Sequence, residues 1–223
     1  ALEKGITIVA YDNFVDGSVY TLMADMEGIG YTLGDAAVQC FEKLDSAPTD
    51  TIVVICATGT EYSVTRTNLA IERIKEKLPG ANVVVFDVDS YGGSGNTAGV
   101  AIGEALISGY DDVRAVLATD SANTALGVYE AYKAAGITDG VGVITNDGSL
   151  EELRAIAEGG TFYATVDLGL VTLMTDLFER GINYIRTGEI VEAEKLVYFN
   201  SDIVTLENLA DYYDVEKGER VLK

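Results

Sequence analysis

Six apolar runs of strand length recur along the chain, and helical patterns separate most of them. The runs are rich in Val and Ile and barely alternate with polar residues; they cover 6–10, 51–57, 83–88, 113–118, 141–145 and 162–166. Continuous apolarity is what a strand requires when helices cover both faces of its sheet, as in parallel α/β layers. The pattern therefore predicts an α/β fold with a doubly wound parallel sheet and right-handed crossovers.

Helical periodicity fills the intervals between these runs. One predicted helix has an apolar face formed by Ile29, Leu33, Ala36, Cys40 and Leu44, and further helices are predicted over 64–78, 97–107, 123–135, 150–158 and 169–186. Ser149 and Glu152 have the spacing of a capping box, and Gly188 stands where a C-terminal helix cap is expected.

In open α/β sheets ligands bind beyond the carboxyl ends of the strands. We therefore expect the functional residues at that edge.

Composition argues against several classes of function. Acidic residues outnumber basic ones 36 to 15, and a net charge of -21 repels nucleic acid phosphates. We therefore expect no nucleic-acid partner. Histidine is absent, which removes the commonest general base and the commonest metal ligand, so we predict no catalytic residue, no metal and no cofactor. Cys40 and Cys56 lie in apolar patterns and are predicted to be buried free thiols.

Polar residues end nearly every predicted strand. The candidate ligand-binding residues chosen from them are Asp12, Asn13, Asp25, Arg66, Tyr91, Asp120, Ser121, Asp147 and Asp167. Carboxylates and amides bind hydroxyl groups, a guanidinium donates in a planar fork, and an aromatic ring covers the apolar face of a sugar. Asp147 and Ser121 would equally suit a helix cap or Asx-turn. Arg66 gains nothing from the dipole at a helix start, which favours a ligand role.

A glycine-rich segment, Gly92 to Gly99, offers an alternative. Gly93, Gly95 and Ala98 match the G-x-G-x-x-A form of a dinucleotide fingerprint. Ser90 and Tyr91 lie between the preceding strand and the first glycine, and no lysine accompanies the glycines as a Walker-type loop requires. The competing interpretation is a flexible loop that leads into a helix. A nucleotide-cofactor-binding α/β enzyme therefore stays open as an alternative function.

The order of these motifs resembles the type I periplasmic sugar-binding proteins of the ribose, xylose and galactose type, which serve ABC importers. The segments that carry the likeness are 5–13, 24–25 with Gly30 and Gly34, 60–66, 118–127, 143–147 and 160–167. The resemblance implies a non-enzymatic protein that captures a sugar or related polyol between two lobes. It also implies a membrane permease as partner and a periplasmic or extracellular location, with or without a lipid anchor. A ligand-binding ectodomain of a sugar or autoinducer sensor is the other alternative.

The same resemblance implies roles for individual residues. Asp12 and Arg66 would bind sugar hydroxyls, Tyr91 would stack on the ring, and Asp147 would accept a hydroxyl hydrogen bond. Asp25 and Asp167 would lie at the hinge. The chain departs from the family pattern at Asn13, Met26 and 120–123, so the particular sugar stays undetermined.

The resemblance also implies a division into lobes. Residues 1–24 and 168–193 would form a partial N-terminal lobe, and 25–167 with 194–223 a complete C-terminal lobe with a five-stranded parallel sheet. Hinge crossings are expected near 25, 167 and 194. We expect the missing part of the N-terminal lobe to be supplied by another chain or lost by truncation. The charged segment 207–223 is expected to be an exposed surface segment or a frayed end.

Overall fold

A computed structural model describes residues 2–191 and 195–221 and divides the chain into two compact units. Within the described residues, the smaller unit comprises 2–25, 168–191 and 195–200, and the larger unit 26–167 and 201–221. The strands are β1 (Val9–Asp12), β2 (Tyr20–Met23), β3 (Thr51–Cys56), β4 (Asn82–Asp87), β5 (Val113–Ala118), β6 (Gly142–Asp147), β7 (Phe162–Asp167), β8 (Leu196–Tyr198), β9 (Asp202–Thr205), β10 (Tyr213–Asp214) and β11 (Glu219–Arg220). The α-helices are α1 (Met26–Lys43), α2 (Glu61–Lys77), α3 (Asn96–Gly109), α4 (Ala122–Ala134), α5 (Leu150–Glu158) and α6 (Leu170–Thr187). Short 3-10 turns cover Leu2–Lys4, Val88–Tyr91 and Leu209–Asp211.

A mostly parallel sheet forms the centre of the larger unit. Its strand order is β4-β3-β5-β6-β7-β9, and the first five strands run parallel. The doubly wound α/β prediction is thereby confirmed. The expected five-stranded sheet needs one correction, because β9 pairs antiparallel with β7 and adds a sixth strand. This strand satisfies backbone groups that would otherwise be exposed at the sheet edge.

Side chains on both faces of this sheet are buried, which explains the continuous apolar runs. Val53, Ile55 and Val116 point to the face covered by α3, α4 and α5. The intervening residues Ile52 and Val54 are equally buried and face the other side, since successive strand residues alternate. On that side α1 packs against α2 and lies over β5 and β6.

The C-terminal segment of the larger unit is part of its core, contrary to the prediction of an exposed surface segment. Leu209, Tyr212 and Tyr213 are buried and belong to the same apolar cluster as α4 and α5. Strands β10 and β11 form a short antiparallel hairpin there. The charged composition of 207–223 obscures these three apolar anchors, because their neighbours in sequence are acidic or basic.

The smaller unit holds a three-stranded parallel sheet, β1-β2-β8, with α6 packed on β1 and β2. Because β8 pairs with β2, residues 195–200 belong to this unit, although the sequence assigned everything from 194 to the C-terminal lobe. The predicted crossing near 194 lies outside the described residues.

Helix α6 leaves an apolar stripe exposed that includes Val171, Phe178, Ile182 and Ile185. In the part of the chain that the structure describes, no helix is both long and apolar enough to cross a bilayer.

Candidate functional site

The candidate site lies where the strand order of the larger sheet reverses. From β3 the chain crosses through α2 to β4 on one side, whereas β5 lies on the other side of β3. Ligand sites of open α/β sheets form at such a switch point, outside the carboxyl ends of the strands. Helix α2 and the loop from β5 to α4 both begin at this edge.

Arg66 reaches this edge from the second turn of α2. The start of α2 is fixed to the strand ends, because the Ser63 hydroxyl accepts from the Ala57 amide at 2.9 Å. The Thr67 and Thr119 hydroxyls also share a hydrogen bond of 2.5 Å. Arg66 is only 7% exposed, and its guanidinium carbon lies 5.2 Å from the centroid of the Tyr62 ring. A cation is therefore held, largely buried, at the end of the sheet.

Asp120 follows β5 and is 5% exposed. Its Oδ2 accepts from the Thr124 hydroxyl at 2.7 Å, while its buried Oδ1 has no hydrogen-bond partner among the described residues. Burial raises the pKa of Asp120, although the Thr124 and Ser94 hydroxyls act in the opposite direction. The next residue, Ser121, caps α4 by accepting from the Asn123 amide at 3.2 Å. Ser121 thus has the helix-cap function that the sequence left open.

Asp147 ends β6 beside a residue that the sequence-based site residues omit, Asn146. The Asn146 amide donates to Asp147 Oδ1 at 2.5 Å, and the buried Asn146 Oδ1 lacks a hydrogen-bond partner in the described part of the chain. Burial raises the pKa of Asp147; the Asn146 amide and the charge of Arg66 lower it, and the charge of Asp120 raises it. Asp147 thus accepts a hydrogen bond from Asn146 and is influenced by the charges of Arg66 and Asp120. We call these four residues the polar cluster.

The predicted stacking residue Tyr91 lies at the same edge but packs into the protein. It ends the turn after β4, and its ring centroid lies 6.3 Å from that of Phe86. The Asp89 carboxylate accepts from the Gly59 amide at 2.9 Å, which ties the loop after β4 to the loop after β3. Tyr91 is half-buried, so part of the ring stays accessible.

Asp167, at the end of β7, is buried and forms an ion pair with Arg220. The Arg220 guanidinium also donates to the carbonyl oxygen of Gly148. Sequence reasoning missed Arg220, because it lies in the charged terminal segment and is separated from Asp167 by 53 residues. Asn146 could have been found, since it directly precedes Asp147 at a strand end.

Three predicted site residues belong to the smaller unit. Asp12 ends β1 with a positive φ of 65° and is exposed. Asn13 is also exposed, and its amide donates to the Tyr11 carbonyl at 2.8 Å. Asp25 follows β2 and is half-buried. Their ligand roles stay predictions.

The glycine-rich segment is explained by backbone conformation and helix packing. Gly92, Gly93 and Gly95 have positive φ angles of 98°, 97° and 144°, which favour glycine. A Cβ on Gly99 would lie 2.1 Å from the Thr124 carbonyl oxygen, and one on Gly127 would lie 2.2 Å from the Asn96 carbonyl oxygen. Glycine is therefore required for α3 and α4 to approach closely. The Gly95 amide donates to the Thr124 hydroxyl at 3.0 Å, which favours the loop and helix-start interpretation. The described residues contain no group of three or more His, Cys, Asp or Glu side chains that could hold a metal ion.

The fold is that of the type I periplasmic binding proteins. The family model described as "Periplasmic binding protein domain" matches residues 1–168, and the chain belongs to this family. A search of curated proteins finds no match.

Several solved structures share the fold at low sequence identity. A sugar-binding protein of a sugar ABC transporter from Bacillus halodurans is 22% identical with a TM-score of 0.72, covering 95% of this chain and 73% of that one. An ABC transporter periplasmic solute-binding protein from Actinobacillus succinogenes with bound D-allose is 17% identical with a TM-score of 0.76, covering 95% and 72%. The arabinose-binding component from Shewanella sp. ANA-3 is 20% identical with a TM-score of 0.71, covering 94% and 68%.

Proposed function

We propose that this chain is the solute-binding component of an ABC importer, that it captures a sugar or a related polyol, and that it catalyses no reaction. It acts outside the cytoplasm and presents its ligand to a membrane permease. Family membership and the similarity to a sugar-binding protein and to a solute-binding protein with bound D-allose support this proposal. The observation that carries it is the pair of buried acceptor atoms, Asp120 Oδ1 and Asn146 Oδ1, within the polar cluster.

Buried acceptors without partners call for a ligand that donates hydrogen bonds. Leaving such a group unsatisfied costs about 1–3 kcal/mol, so natural proteins rarely keep two of them without a purpose. Ligand hydroxyl groups would satisfy Asp120 and Asn146, and hydroxyl oxygens would in turn accept from the Arg66 guanidinium. A polyol has donors and acceptors on adjacent carbons, which suits this arrangement.

The charges of the cluster select against anionic ligands. One guanidinium, that of Arg66, is accompanied by the carboxyl groups of Asp120 and Asp147. A phosphate or carboxylate ligand would approach both of these acidic groups, whereas an uncharged hydroxyl can donate to them. The larger unit therefore supplies Arg66, Asp120, Asn146 and Asp147 as ligand residues. Tyr91 covers the sugar ring, and Asp12, Asn13 and Asp25 are the ligand residues of the smaller unit.

Titration calorimetry with L-arabinose, D-allose, myo-inositol and D-galactose tests the proposal. We expect saturable binding of at least one polyol by the chain. Arg66→Lys keeps the charge but loses the planar fork, and should weaken binding by about tenfold or more. Arg114→Lys is the control, because Arg114 is a half-buried arginine that pairs with Asp50 at 2.9 Å but lies at the start of β5.

Two results would contradict the proposal. One is an absence of binding heat for every polyol in the panel with folded protein. The other is an equal loss of affinity in Arg66→Lys and Arg114→Lys, since this would indicate a general loss of structure. An anionic ligand that binds more tightly than any neutral polyol would contradict the charge argument.

A further inference from the structure

The turn that carries Asp147 has a backbone conformation that few residues adopt. Asp147 has a φ of 117°, and Gly148 after it has a φ of 68°. A non-glycine residue in this region is strained, and such strain persists only where surrounding contacts hold the conformation in place. The contacts around Gly148 therefore determine where the Asp147 carboxylate is held.

One set of contacts comes from β7 and α5. The Gly148 amide donates to the Thr165 hydroxyl at 3.2 Å, and this hydroxyl donates to Glu152 Oε1 at 2.6 Å. The turn also lies directly on β7, since a Cβ on Gly148 would be 3.0 Å from the Asp167 Cα. These contacts hold the amide side of the turn but leave the Gly148 carbonyl to another partner.

That partner is Arg220 in the terminal hairpin. One guanidinium nitrogen donates to the Gly148 carbonyl and the other donates to Asp167 Oδ2. The Arg220 side chain is 16% exposed and that of Asp167 is 5% exposed, so the bridge is largely shielded from water. The hairpin itself is anchored by the buried rings of Tyr212 and Tyr213.

We propose that Arg220 is a positioning residue for the ligand site: it holds the strained Asp147–Gly148 turn against the end of β7 and thereby keeps Asp147 in the polar cluster. The proposal rests on the proposed function in one respect, namely that Asp147 binds the ligand. It gives the terminal segment a role in binding that is distinct from its packing role. Only a planar fork serves both acceptors at once, so lysine does not replace arginine here.

The test compares Arg220→Lys with Lys217→Ala in the full chain. Lys217 lies in the same hairpin and forms an exposed ion pair with Asp214 at 2.8 Å, so its loss should be neutral. The first readout is hydrogen exchange of the Gly148 amide by NMR, which needs no ligand. We expect Arg220→Lys to speed this exchange by about tenfold or more while amides in the middle of β5 keep their protection.

The second readout is the Kd for the polyol that binds best to the unaltered protein. The strain released at Asp147 predicts binding that is about 5- to 150-fold weaker in Arg220→Lys. Because Arg220 acts through Asp147, the same substitution should have little further effect in an Asp147→Asn background. A residue with only a structural role would lower affinity equally in both backgrounds.

The outcomes separate the two proposals. If no polyol binds but Gly148 exchange accelerates, the proposed function fails, while the role of Arg220 in holding the Asp147–Gly148 turn stands. Unchanged exchange and unchanged Kd in folded Arg220→Lys would overturn the positioning role. If that variant does not fold, Asp167→Asn weakens the same ion pair while keeping an acceptor, and it should show the same changes to a smaller degree.

Discussion

Glu152, which lies near the polar cluster, provides a quantitative test of whether burial keeps a carboxyl group protonated in the folded protein. Its side chain is 0% exposed in the first turn of α5. Oε1 accepts from the Thr165 hydroxyl at 2.6 Å, and Oε2 accepts from the Ser149 amide at 2.5 Å. Burial raises the pKa of Glu152 from 4.5 to about 8, the Thr165 and Ser149 groups oppose the rise, and the charge of Asp147 adds to it. At neutral pH the folded protein therefore keeps a proton that the unfolded chain has released.

The sign of the pH effect follows from proton linkage. Because the folded state binds the extra proton, the associated stability is fully present below the unfolded pKa of 4.5 and is lost as the pH rises through about 8. Each pH unit in this window is worth about 1.4 kcal/mol, so the loss at neutral pH is about 3 kcal/mol. Glu152→Gln removes the titrating group, and glutamine still completes a capping box. Near pH 4.5, the pKa of the unfolded chain, the variant and the unaltered protein should have the same free energy of unfolding. At neutral pH the variant should be more stable by about 3 kcal/mol.

Urea unfolding at a series of pH values, followed by circular dichroism, measures this difference. Glu151→Gln is the matched control, since Glu151 is the exposed neighbour on the same helix turn. It should lower stability by a few tenths of a kcal/mol at neutral pH, because an acidic residue near a helix N-terminus is stabilising. A stability difference between Glu152→Gln and the unaltered protein that stays constant across the pH range would refute the reasoning. It would mean that the buried carboxyl group is already ionised in the fold.

Two further predictions concern packing. Gly99→Ala should destabilise the protein by about 2 kcal/mol or more in thermal unfolding, because the new Cβ would meet the Thr124 carbonyl at 2.1 Å. Gly109→Ala, which meets nothing within 4 Å, should cost little, and equal effects would disprove the close-packing argument. Burial raises the pKa of Cys40 to about 12, so an aromatic disulfide reagent should modify it only on unfolding. Rapid modification of Cys40 in the native protein would contradict its buried placement.

Local sequence signals predicted the elements well because the cause of each signal lies within a few residues. The capping box of Ser149 and Glu152 is present, and Gly188 caps α6 in a left-handed conformation. Cys40 and Cys56 are buried and free, as their apolar surroundings predicted. The exception is the end of the chain, where the charged neighbours of Tyr212 and Tyr213 hide their burial.

The site could be predicted only in part. Placing polar residues at strand ends named Arg66, Asp120 and Asp147, and in the structure the charges of Arg66 and Asp120 both act on the pKa of Asp147. It could not separate them from Ser121, which caps a helix, because a hydroxyl at a strand end suits either purpose. The same reasoning could have included Asn146, which directly precedes Asp147, but only the structure shows that its buried oxygen lacks a partner among the described residues.

The sequence by itself determined the parallel α/β architecture, because burial on both sheet faces demands the continuous apolar runs seen in β3 and β5. Only the tertiary structure decided that β9 closes the sheet edge and that Arg220 reaches Gly148 across 72 residues. Strand burial and helix caps depend on neighbours along the chain, whereas these contacts depend on how separate segments pack. Their energies are set by three-dimensional proximity, for which the linear pattern carries no periodic signal.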